Sequence, residues 1–399
     1  MDEFLIYDAA GSGHHGEFLE NMISGLPDTG VNYVILAHPQ LRERLEGAKL
    51  EYQSAVRLEY LVEEQLAALA AAKRLIVRGR LELDIVVKYC ATHPIRKVIM
   101  MHMNVHQFGL GRRALPKGVT IRGLLLNPYT PLRRAFGLRA KAFAFVTGLR
   151  KRLQFAWMLQ NRSIERVFLL NDPSTAEQLN QWFPRRAVFA SIPDPLPALS
   201  GQVEMPAVRG AARRPYCFLM AGSIAPRKGG LEVLAAFAIL AESIDRPIRL
   251  QILGRFREEY RDYRNRVFER VKQLNARPGI TVVVEDRFIS DQELQEAFAE
   301  ADCILAPYLD FYGSSGMIGY ACRYQKPLLA CRDGLIGEIV QKQRLGLVVN
   351  PRYVSSLSSA MACMVKGDFE YSKESASRYK HAAQVSAFVN SILGCSRVL

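Results

Sequence analysis

The chain alternates short apolar runs with longer segments in which apolar residues recur at helical spacing. Uninterrupted apolar runs of this length are typical of strands that are buried on both faces of a parallel sheet. The amphipathic segments between them are typical of the helices that cover such a sheet. The pattern therefore predicts an α/β fold built from repeated strand–helix units.

The predicted strands form two groups. The first half of the chain has six of them, at residues 4–7, 33–36, 75–77, 98–101, 167–170 and 188–192. The second half has six more, at residues 217–220, 250–253, 280–284, 303–306, 327–330 and 347–349. Two parallel sheets are expected. One helix start is also clear, because Ser290 and Glu293 form a capping box ahead of apolar residues at helical spacing.

A linker is predicted between the two groups. Residues 196–212 are rich in Pro, Gly and Ala and show no periodicity. We expect a first domain over residues 1–195, a second over residues 213–370, and a C-terminal helix in 371–399 that crosses back to the first domain. No apolar run reaches the roughly 18 residues that a membrane-spanning helix needs. Because the first residues are also acidic rather than basic, we expect a cytoplasmic protein.

Cysteine usage indicates reduced thiols. The seven cysteines are odd in number, and none belongs to a C-x-x-C pair or stands near a histidine at zinc-ligand spacing. We expect neither a disulfide framework nor a structural metal.

The net charge of +14 is concentrated in one stretch of the first domain, an insertion at about residues 110–165. Residues 112–164 hold no acidic residue and twelve basic ones: Arg112, Arg113, Lys117, Arg122, Arg133, Arg134, Arg139, Lys141, Arg150, Lys151, Arg152 and Arg162. Large apolar residues lie between them, a combination that an anionic membrane surface attracts. A solvated helix face is the plain alternative. Nucleic acid is another acidic partner, but no nucleic-acid motif accompanies the charge, so no specific nucleic acid is expected.

Ligands of doubly wound sheets bind at the carboxyl ends of the strands, so the loops there are the candidate sites. The first such loop contains Gly11, Ser12, Gly13 and His14. It matches the dinucleotide pattern G-x-G-x-x-G only in part, since no acidic residue ends the second strand. A nicotinamide-dependent enzyme is therefore disfavoured, and these four residues are candidates for the acceptor side of a transfer reaction.

The second and third loops carry residues suited to phosphate. In the second, Gly222, Ser223, Arg227 and Lys228 set two cations and flexible glycines at a helix start, which suits a diphosphate. In the third, Gly313, Ser314, Ser315 and Gly316 offer amides and hydroxyls, and Asp310 offers a carboxylate for a sugar hydroxyl. The plain alternatives are a solvated loop and a helix capped by Ser315.

Together these loops resemble the retaining glycosyltransferases of the GT-B fold, in particular glycosyltransferase family 4. The resemblance covers nearly the whole chain and is densest over residues 218–350. Residues 222–229 (GSIAPRKG) resemble the family's phosphate loop, and residues 253–255 (LGR) its strand-end glycine. Residues 288–294 (FISDQEL), 301–307 (ADCILAP) and 326–330 (KPLLA) match later family segments. The resemblance implies two Rossmann-like doubly wound domains that face each other across a cleft.

The resemblance also implies roles for individual residues. The second domain would bind a nucleoside diphosphate sugar through the second and third loops together with Gly254, Arg255 and Phe288. His102, directly after a first-domain strand, falls where the family often keeps an active-site histidine, with His106 and His14 as weaker candidates. His102 and Asp310 are the candidate catalytic residues. No metal and no cofactor are implied, and the anomeric configuration would be retained.

The sequence departs from the family at its usual pair of glutamates, where Tyr312 and Tyr320 stand, and at the arginine of the phosphate loop, where Ser223 stands. In some branches of the family a Gly-Ser-Ser-Gly loop takes over phosphate binding. We therefore expect a transferase that acts on a saccharide or lipid-linked acceptor at the inner face of the plasma membrane, in surface polysaccharide or glycoconjugate synthesis. A GT-B protein that binds a nucleotide sugar or polysaccharide without turnover is the alternative.

Overall fold

The computed structural model describes residues 3–11, 15–28, 30–52, 56–111, 114–126, 138–196, 214–311 and 313–394, with backbone alone at 52 and 138–147. The chain divides into two compact units. The first comprises Met1–Pro197 together with Ala382–Leu399, and the second comprises Ala198–His381.

The first unit contains a parallel seven-stranded sheet of order β3-β2-β1-β4-β5-β6-β7. Its strands are β1 (Glu3–Asp8), β2 (Asn32–Ala37), β3 (Arg57–Tyr60), β4 (Ile95–Met100), β5 (Thr120–Leu125), β6 (Ile164–Leu170) and β7 (Phe189–Ile192). Its helices up to the linker are α1 (His15–Gly25), α2 (Arg42–Tyr52), α3 (Glu63–Ala71), α4 (Leu75–Thr92), α5 (Gln107–Leu110), α6 (Leu138–Met158) and α7 (Pro173–Trp182). One core, which includes Leu83, Phe155 and Leu179, covers one face of the sheet, and a second, which includes Leu19 and Leu45, covers the other.

The second unit contains a parallel six-stranded sheet of order β10-β9-β8-β11-β12-β13. Its strands are β8 (Tyr216–Ala221), β9 (Ile248–Leu253), β10 (Ile280–Glu285), β11 (Cys303–Ala306), β12 (Leu328–Cys331) and β13 (Gly346–Val349). Its helices are α8 (Gly230–Ser243), α9 (Arg261–Asn275), α10 (Asp291–Glu300), α11 (Met317–Arg323), α12 (Leu335–Lys342), α13 (Val354–Lys366) and α14 (Lys373–Ala382).

The last helix, α15 (Val385–Leu393), belongs to the first unit. Phe388 and Val389 are buried against α1, and the ring of Phe388 stacks on that of Phe18 at 6.0 Å between centroids. Lys97 Nζ donates to the Leu393 carbonyl oxygen at 2.7 Å. An Arg122 guanidinium nitrogen donates to the Ser391 carbonyl oxygen at 3.1 Å. The carbonyl groups at the carboxyl end of α15 are thus capped by two cations from β4 and β5.

The α/β class with two Rossmann-like sheets is confirmed. All the predicted strands except 75–77 overlap observed strands, and the predicted capping box begins α10: the Glu293 carboxylate accepts from the Ser290 amide at 2.9 Å. Segment 75–77 was wrongly predicted, because it begins α4. Three aliphatic residues in a row favour a strand by propensity, but the apolar periodicity of α4 starts only beyond them, at Leu83 and Val86.

Two strands were missed by the sequence analysis. β3 (sequence RLEY) is a short edge strand with two charged residues, and β5 (sequence TIRGLL) lies inside the basic stretch. Neither has the uninterrupted apolar run on which the strand assignments rested. Within the described ranges, no helix has the length and apolar content required to cross a bilayer.

Candidate functional site

Each sheet has one point at which the strand order reverses, and ligands of open α/β sheets bind outside the carboxyl ends of the strands there. In the first unit this point lies between β1 and β4, and in the second between β8 and β11. Asp8 ends β1, and His102 follows β4. In the second unit, the loops after β8 and β11 are the second and third predicted loops. The topology therefore selects the same loops as the sequence.

The structure brings these two loops of the second unit into contact. The Leu309 amide donates to the Arg227 carbonyl oxygen at 2.7 Å. Lys228 Nζ donates to the Tyr308 hydroxyl oxygen at 2.8 Å and to the Ala221 carbonyl oxygen, at the end of β8, at 3.1 Å. One backbone bond and one side-chain bond therefore hold the loops together.

Lys228 and Arg227 occupy different environments. Lys228 is buried, and two of the three hydrogens of its ammonium group are used in the bonds to Tyr308 and Ala221. A Cβ built on Gly222 would lie 3.3 Å from Nζ, so the ammonium group is adjacent to the exposed glycine backbone. Arg227 is exposed, with its guanidinium 4.8 Å from the ring centroid of Phe311. Of the two predicted cations, only Arg227 is exposed.

The third loop leads into α11. Gly313 is buried, Ser314 is half-buried, and Gly316 is the residue before the helix. Ser315 Oγ accepts a long hydrogen bond from the Met317 amide, at 3.4 Å, and lies 3.5 Å from the Tyr308 hydroxyl oxygen. Gly316 occupies the N-cap position of α11, so Ser315 is not the helix cap of the plain alternative, and it stands beside the residue that holds Lys228.

Asp310 lies apart from the Lys228 group. Its carboxylate pairs with the Arg352 guanidinium at 2.6 Å, and both side chains are exposed. The pair borders a small cavity of about 40 Å³ at the carboxyl ends of β12 and β13, together with Asp333 and Asn350. Because solvent screens an exposed pair of this kind, a sugar hydroxyl can compete with Arg352 for the carboxylate.

The remaining predicted donor residues follow β9 and β10. Gly254 has a φ of 140°, and a Cβ there would lie 2.2 Å from the Gly222 carbonyl oxygen, so only glycine allows the two loops to touch. The Arg255 side chain is exposed. Phe288, after β10, is 81% exposed, which leaves its ring available for stacking.

In the first unit, the reversal point holds a carboxylate–histidine pair that was not predicted. The buried Asp8 carboxylate accepts from the Ala10 amide at 2.9 Å and pairs with His15 Nδ1 at 2.7 Å. The His15 ring centroid lies 5.3 Å from that of His102. The signal in the sequence was an acidic residue ending an apolar run, with a histidine at the start of the next helix.

Of the predicted acceptor-side residues, only Gly11 is described, and Ser12, Gly13 and His14 lie outside the described residues. A Cβ on Gly11 would lie 2.6 Å from His38 Nδ1 and 2.4 Å from Gln40 Oε1. Gly11 therefore allows the loop after β1 to lie against the residues that follow β2.

His102 and His106 have separate roles. Burial, and next the charge of His15, lower the pKa of His102, so its half-buried ring stays neutral at pH 7. His106 is buried, with Nδ1 2.8 Å from the His102 carbonyl oxygen and Nε2 2.8 Å from Glu82 Oε2. These two contacts hold the His106 ring between the backbone of His102 and the carboxylate of Glu82. His106 thus fixes the turn that carries His102.

Glu82 supports this arrangement from α4. Burial alone would raise the pKa of Glu82, but hydrogen bonds from His106 and Arg78 outweigh burial and lower it. The buried pair therefore connects α4 to the turn after β4.

The basic stretch has several environments. Arg112, Arg113, Arg133 and Arg134 lie outside the described residues. On α6, Arg150 and Arg152 are exposed, while burial lowers the pKa of Lys151. Leu149 and Leu153, one turn apart on the same helix, are 51% and 64% exposed. Arg122 serves the fold, as the cap of α15.

The described part of the chain contains no group of three His, Cys, Asp or Glu side chains arranged to hold a metal ion. The six cysteines within the described ranges are free thiols, and five of them are buried. Burial raises the pKa of Cys90 and Cys322 to about 12, so neither thiol ionises at neutral pH.

Comparison with known proteins gives one family match. Residues 215–366 match the model of the family described as glycosyl transferases group 1. These residues lie within the second unit and include the second and third loops. No curated protein sequence matches the chain.

Several solved structures share the fold. The Candida albicans trehalose-6-phosphate phosphatase N-terminal domain has a TM-score of 0.65 at 10% identity, covering 99% of this chain and 97% of that one. A glycosyltransferase from Rickettsia africae has a TM-score of 0.63 at 13% identity, covering 98% and 97%. Anabaena HepE in complex with UDP-glucose has a TM-score of 0.61 at 14% identity, covering 98% of both chains. These similarities confirm the GT-B type of fold, and the family match supports glycosyl transfer.

Proposed function

We propose that this protein moves a sugar from a nucleoside diphosphate sugar to a saccharide or lipid-linked acceptor, because residues 215–366 match the family described as glycosyl transferases group 1. The observation that carries the proposal is the joined pair of loops after β8 and β11. They set a buried ammonium group, an exposed guanidinium and the start of α11 around one reversal point of the sheet.

The donor binds the second unit. Arg227 contacts the diphosphate directly, and Lys228 acts through the open backbone of Gly222 and Ser223 with its remaining hydrogen. The Ser314, Ser315 and Gly316 segment completes the phosphate cradle. Phe288 stacks on the nucleotide base, beside Gly254 and Arg255. The Asp310 carboxylate releases the Arg352 guanidinium and binds a sugar hydroxyl instead. Since HepE was solved with UDP-glucose, that compound is the first donor to test.

Transfer proceeds with retention and without a metal ion. Negative charge grows on the departing diphosphate as the glycosidic bond breaks, and preorganised cations stabilise that charge without reorganisation. The departing phosphate oxygen accepts the proton of the acceptor hydroxyl, which attacks from the same face of the sugar. Arg227 and Lys228 thus supply the electrostatic stabilisation that a divalent ion supplies in other transferases.

The acceptor binds the first unit at Asp8, His15 and His102. Asp8 fixes the hydrogen of His15 on Nδ1, and the neutral ring of His102 can accept or donate a hydrogen bond to a sugar hydroxyl. The basic stretch holds the protein at the inner face of the plasma membrane, where surface polysaccharides and glycoconjugates are assembled.

The proposal is tested by incubating the purified chain with a panel of nucleotide sugars, UDP-glucose included, and measuring released nucleoside diphosphate. We expect slow hydrolysis of one donor in the absence of an acceptor, and a loss of that hydrolysis when Arg227 and Lys228 are both changed to alanine. Release that is equal for all donors and unaffected by the double change would contradict the proposed site.

The second candidate is a GT-B protein that binds a nucleotide sugar without turnover. It is favoured by Tyr320, whose ring stacks on the buried Phe298 at 5.0 Å between centroids, at a position where the family resemblance would place a carboxylate. In that case a donor would bind, by calorimetry, with no release of diphosphate.

A further inference from the structure

The start of α4 exposes three consecutive large apolar side chains. Leu75, Ile76 and Val77 are 68%, 44% and 44% exposed. Single exposed apolar residues are ordinary on protein surfaces, but contiguous ones mark contact surfaces. The preceding helix extends the surface, since Ala67, Ala68, Ala70 and Ala71 of α3 are exposed as well. We name residues 67–80 the α3–α4 corner.

The corner stands at the carboxyl edge of the first sheet, next to the candidate acceptor site. A Cβ on Gly79 would lie 2.0 Å from the Val105 carbonyl oxygen, so α4 touches the turn after β4 at Gly79. Glu82, one turn further along α4, bonds to His106. The first turn of α4, residues 75–78, therefore adjoins the turn that carries His102 and His106.

All charged residues of the α3–α4 corner are basic. From Gln65 to Leu81 the sequence holds no acidic residue and four basic ones, Lys73, Arg74, Arg78 and Arg80. Lys73, Arg74 and Arg80 are exposed, and Arg78 pairs with Glu82 at 2.9 Å. Aliphatic side chains bordered by exposed cations fit a surface that is apolar below and anionic above, which is the boundary of an anionic bilayer.

We propose that the α3–α4 corner rests on an anionic bilayer, with Leu75, Ile76 and Val77 among the acyl chains and Lys73 and Arg74 among the phosphate headgroups. This inference rests on the proposed function, because the contact would let a lipid-linked acceptor reach the Asp8, His15 and His102 group directly from the bilayer. It adds a second contact surface, outside the basic stretch at residues 112–164.

The test is flotation of the full chain with vesicles of phosphatidylcholine, with and without phosphatidylglycerol. The test variant changes Leu75, Ile76 and Val77 to serine together, because serine is well tolerated in the first turn of a helix. A charge variant changes Lys73 and Arg74 to glutamine. The matched control is Leu50→Ser, at a residue that is 88% exposed on α2 in the same unit. The pair Leu149→Ser and Leu153→Ser on α6 tests the competing surface in the basic stretch.

We expect the wild type to bind the anionic vesicles and the triple serine variant to lose on the order of 10- to 100-fold in affinity, with Leu50→Ser unchanged. The charge variant should lose roughly fivefold for each cation, as high salt should in the wild type. The proposal is overturned if the wild type binds neither kind of vesicle, if the triple variant binds as the wild type does, or if only the α6 pair reduces binding. Donor hydrolysis, measured without vesicles, tests the proposed function separately.

Discussion

Lys228 Nζ lies 2.8 Å from the hydroxyl oxygen of Tyr308, so the cation of one candidate phosphate loop is held by the aromatic residue of the next. The Lys228 ammonium group also lies 4.5 Å from the centroid of that ring. These contacts hold the ammonium group in place before a donor arrives. Donor binding therefore does not have to order the Lys228 side chain. Removing either partner should therefore weaken donor binding.

Lys228→Ala should reduce the specificity constant for the donor on the order of 10- to 100-fold, because a charge-assisted bond to phosphate contributes roughly 1.5–3 kcal/mol. The double change with Arg227 should reduce it further. Lys326→Ala is the matched control, since Lys326 is half-buried, donates to the Ala299 carbonyl oxygen at 2.7 Å and precedes β12 at the opposite edge of the sheet. Kinetics as in the wild type for Lys228→Ala would remove this loop from the donor site.

Transfer should survive metal chelation, because Arg227 and Lys228 carry the charge stabilisation in the proposed mechanism. The measurement is the initial rate of diphosphate release before and after EDTA treatment, followed by addition of magnesium. A complete loss that magnesium restores would rule out the metal-independent mechanism.

His102 should give the first unit a pH-dependent stability. Because its pKa in the folded state is below the usual value of about 6.5, the unfolded chain takes up the proton first as the pH falls. The free energy of unfolding should therefore decrease as the pH falls from about 6.5 through the lower folded pKa, and decrease less in His102→Gln. Urea unfolding at a series of pH values checks this. An equal slope in both proteins would contradict the lowered pKa.

Glu82→Gln should destabilise the first unit by about 3 kcal/mol, because it removes the buried carboxylate that bonds to His106 and Arg78. Glu20→Gln is the control: Glu20 pairs with Arg44 in the same unit, but this pair is largely solvated and should contribute at most about 1 kcal/mol. Since the pKa of Glu82 is lowered, its stabilisation is complete above pH of about 4.5 and is lost as the pH falls through the folded value. Equal effects of the two changes, measured by urea unfolding, would contradict the importance of the buried pair.

The basic stretch makes a separate prediction about membranes. Changing Arg133, Arg134, Arg150, Lys151 and Arg152 to glutamine should remove about 5 kcal/mol of attraction to anionic vesicles, at about 1 kcal/mol per charge near the surface. Donor hydrolysis should persist, and high salt should mimic the change, because such attraction decays within about 8 Å at physiological ionic strength. Equal binding to neutral and anionic vesicles would refute an electrostatic contribution of the basic stretch to membrane binding. Salt-sensitive binding to RNA but not to vesicles would favour nucleic acid as the partner.

Much of the fold could be read from the sequence, because buried parallel strands such as β8 and β11 are uninterrupted apolar runs. The same rule misassigned Leu75, Ile76 and Val77, since exposure is a property of the folded surface and does not show in residue type. Lys228 shows which property of a site residue the sequence could not predict. Its place after β8 follows from the sequence order, but its burial depends on Tyr308, which stands 80 positions along the chain.

The acceptor side shows a similar limit. The sequence drew attention to His14 and His102, whereas the structure pairs Asp8 with His15. Which of two adjacent histidines turns toward a carboxylate depends on the path of the loop and the first turn of α1, which local composition does not determine. The separation of His15 and His102 likewise follows from β1 and β4 being neighbours in the sheet.

The position of α15 has a consequence for biosynthesis. Phe388 and Ile392 complete the core over α1, and Lys97 and Arg122 bind the carbonyl groups at the helix end. A nascent chain therefore carries an incomplete first unit, with the α1 face uncovered, until residues 385–393 leave the ribosome. By then every residue of the second unit has been synthesised, so the unit that is encoded first finishes folding last.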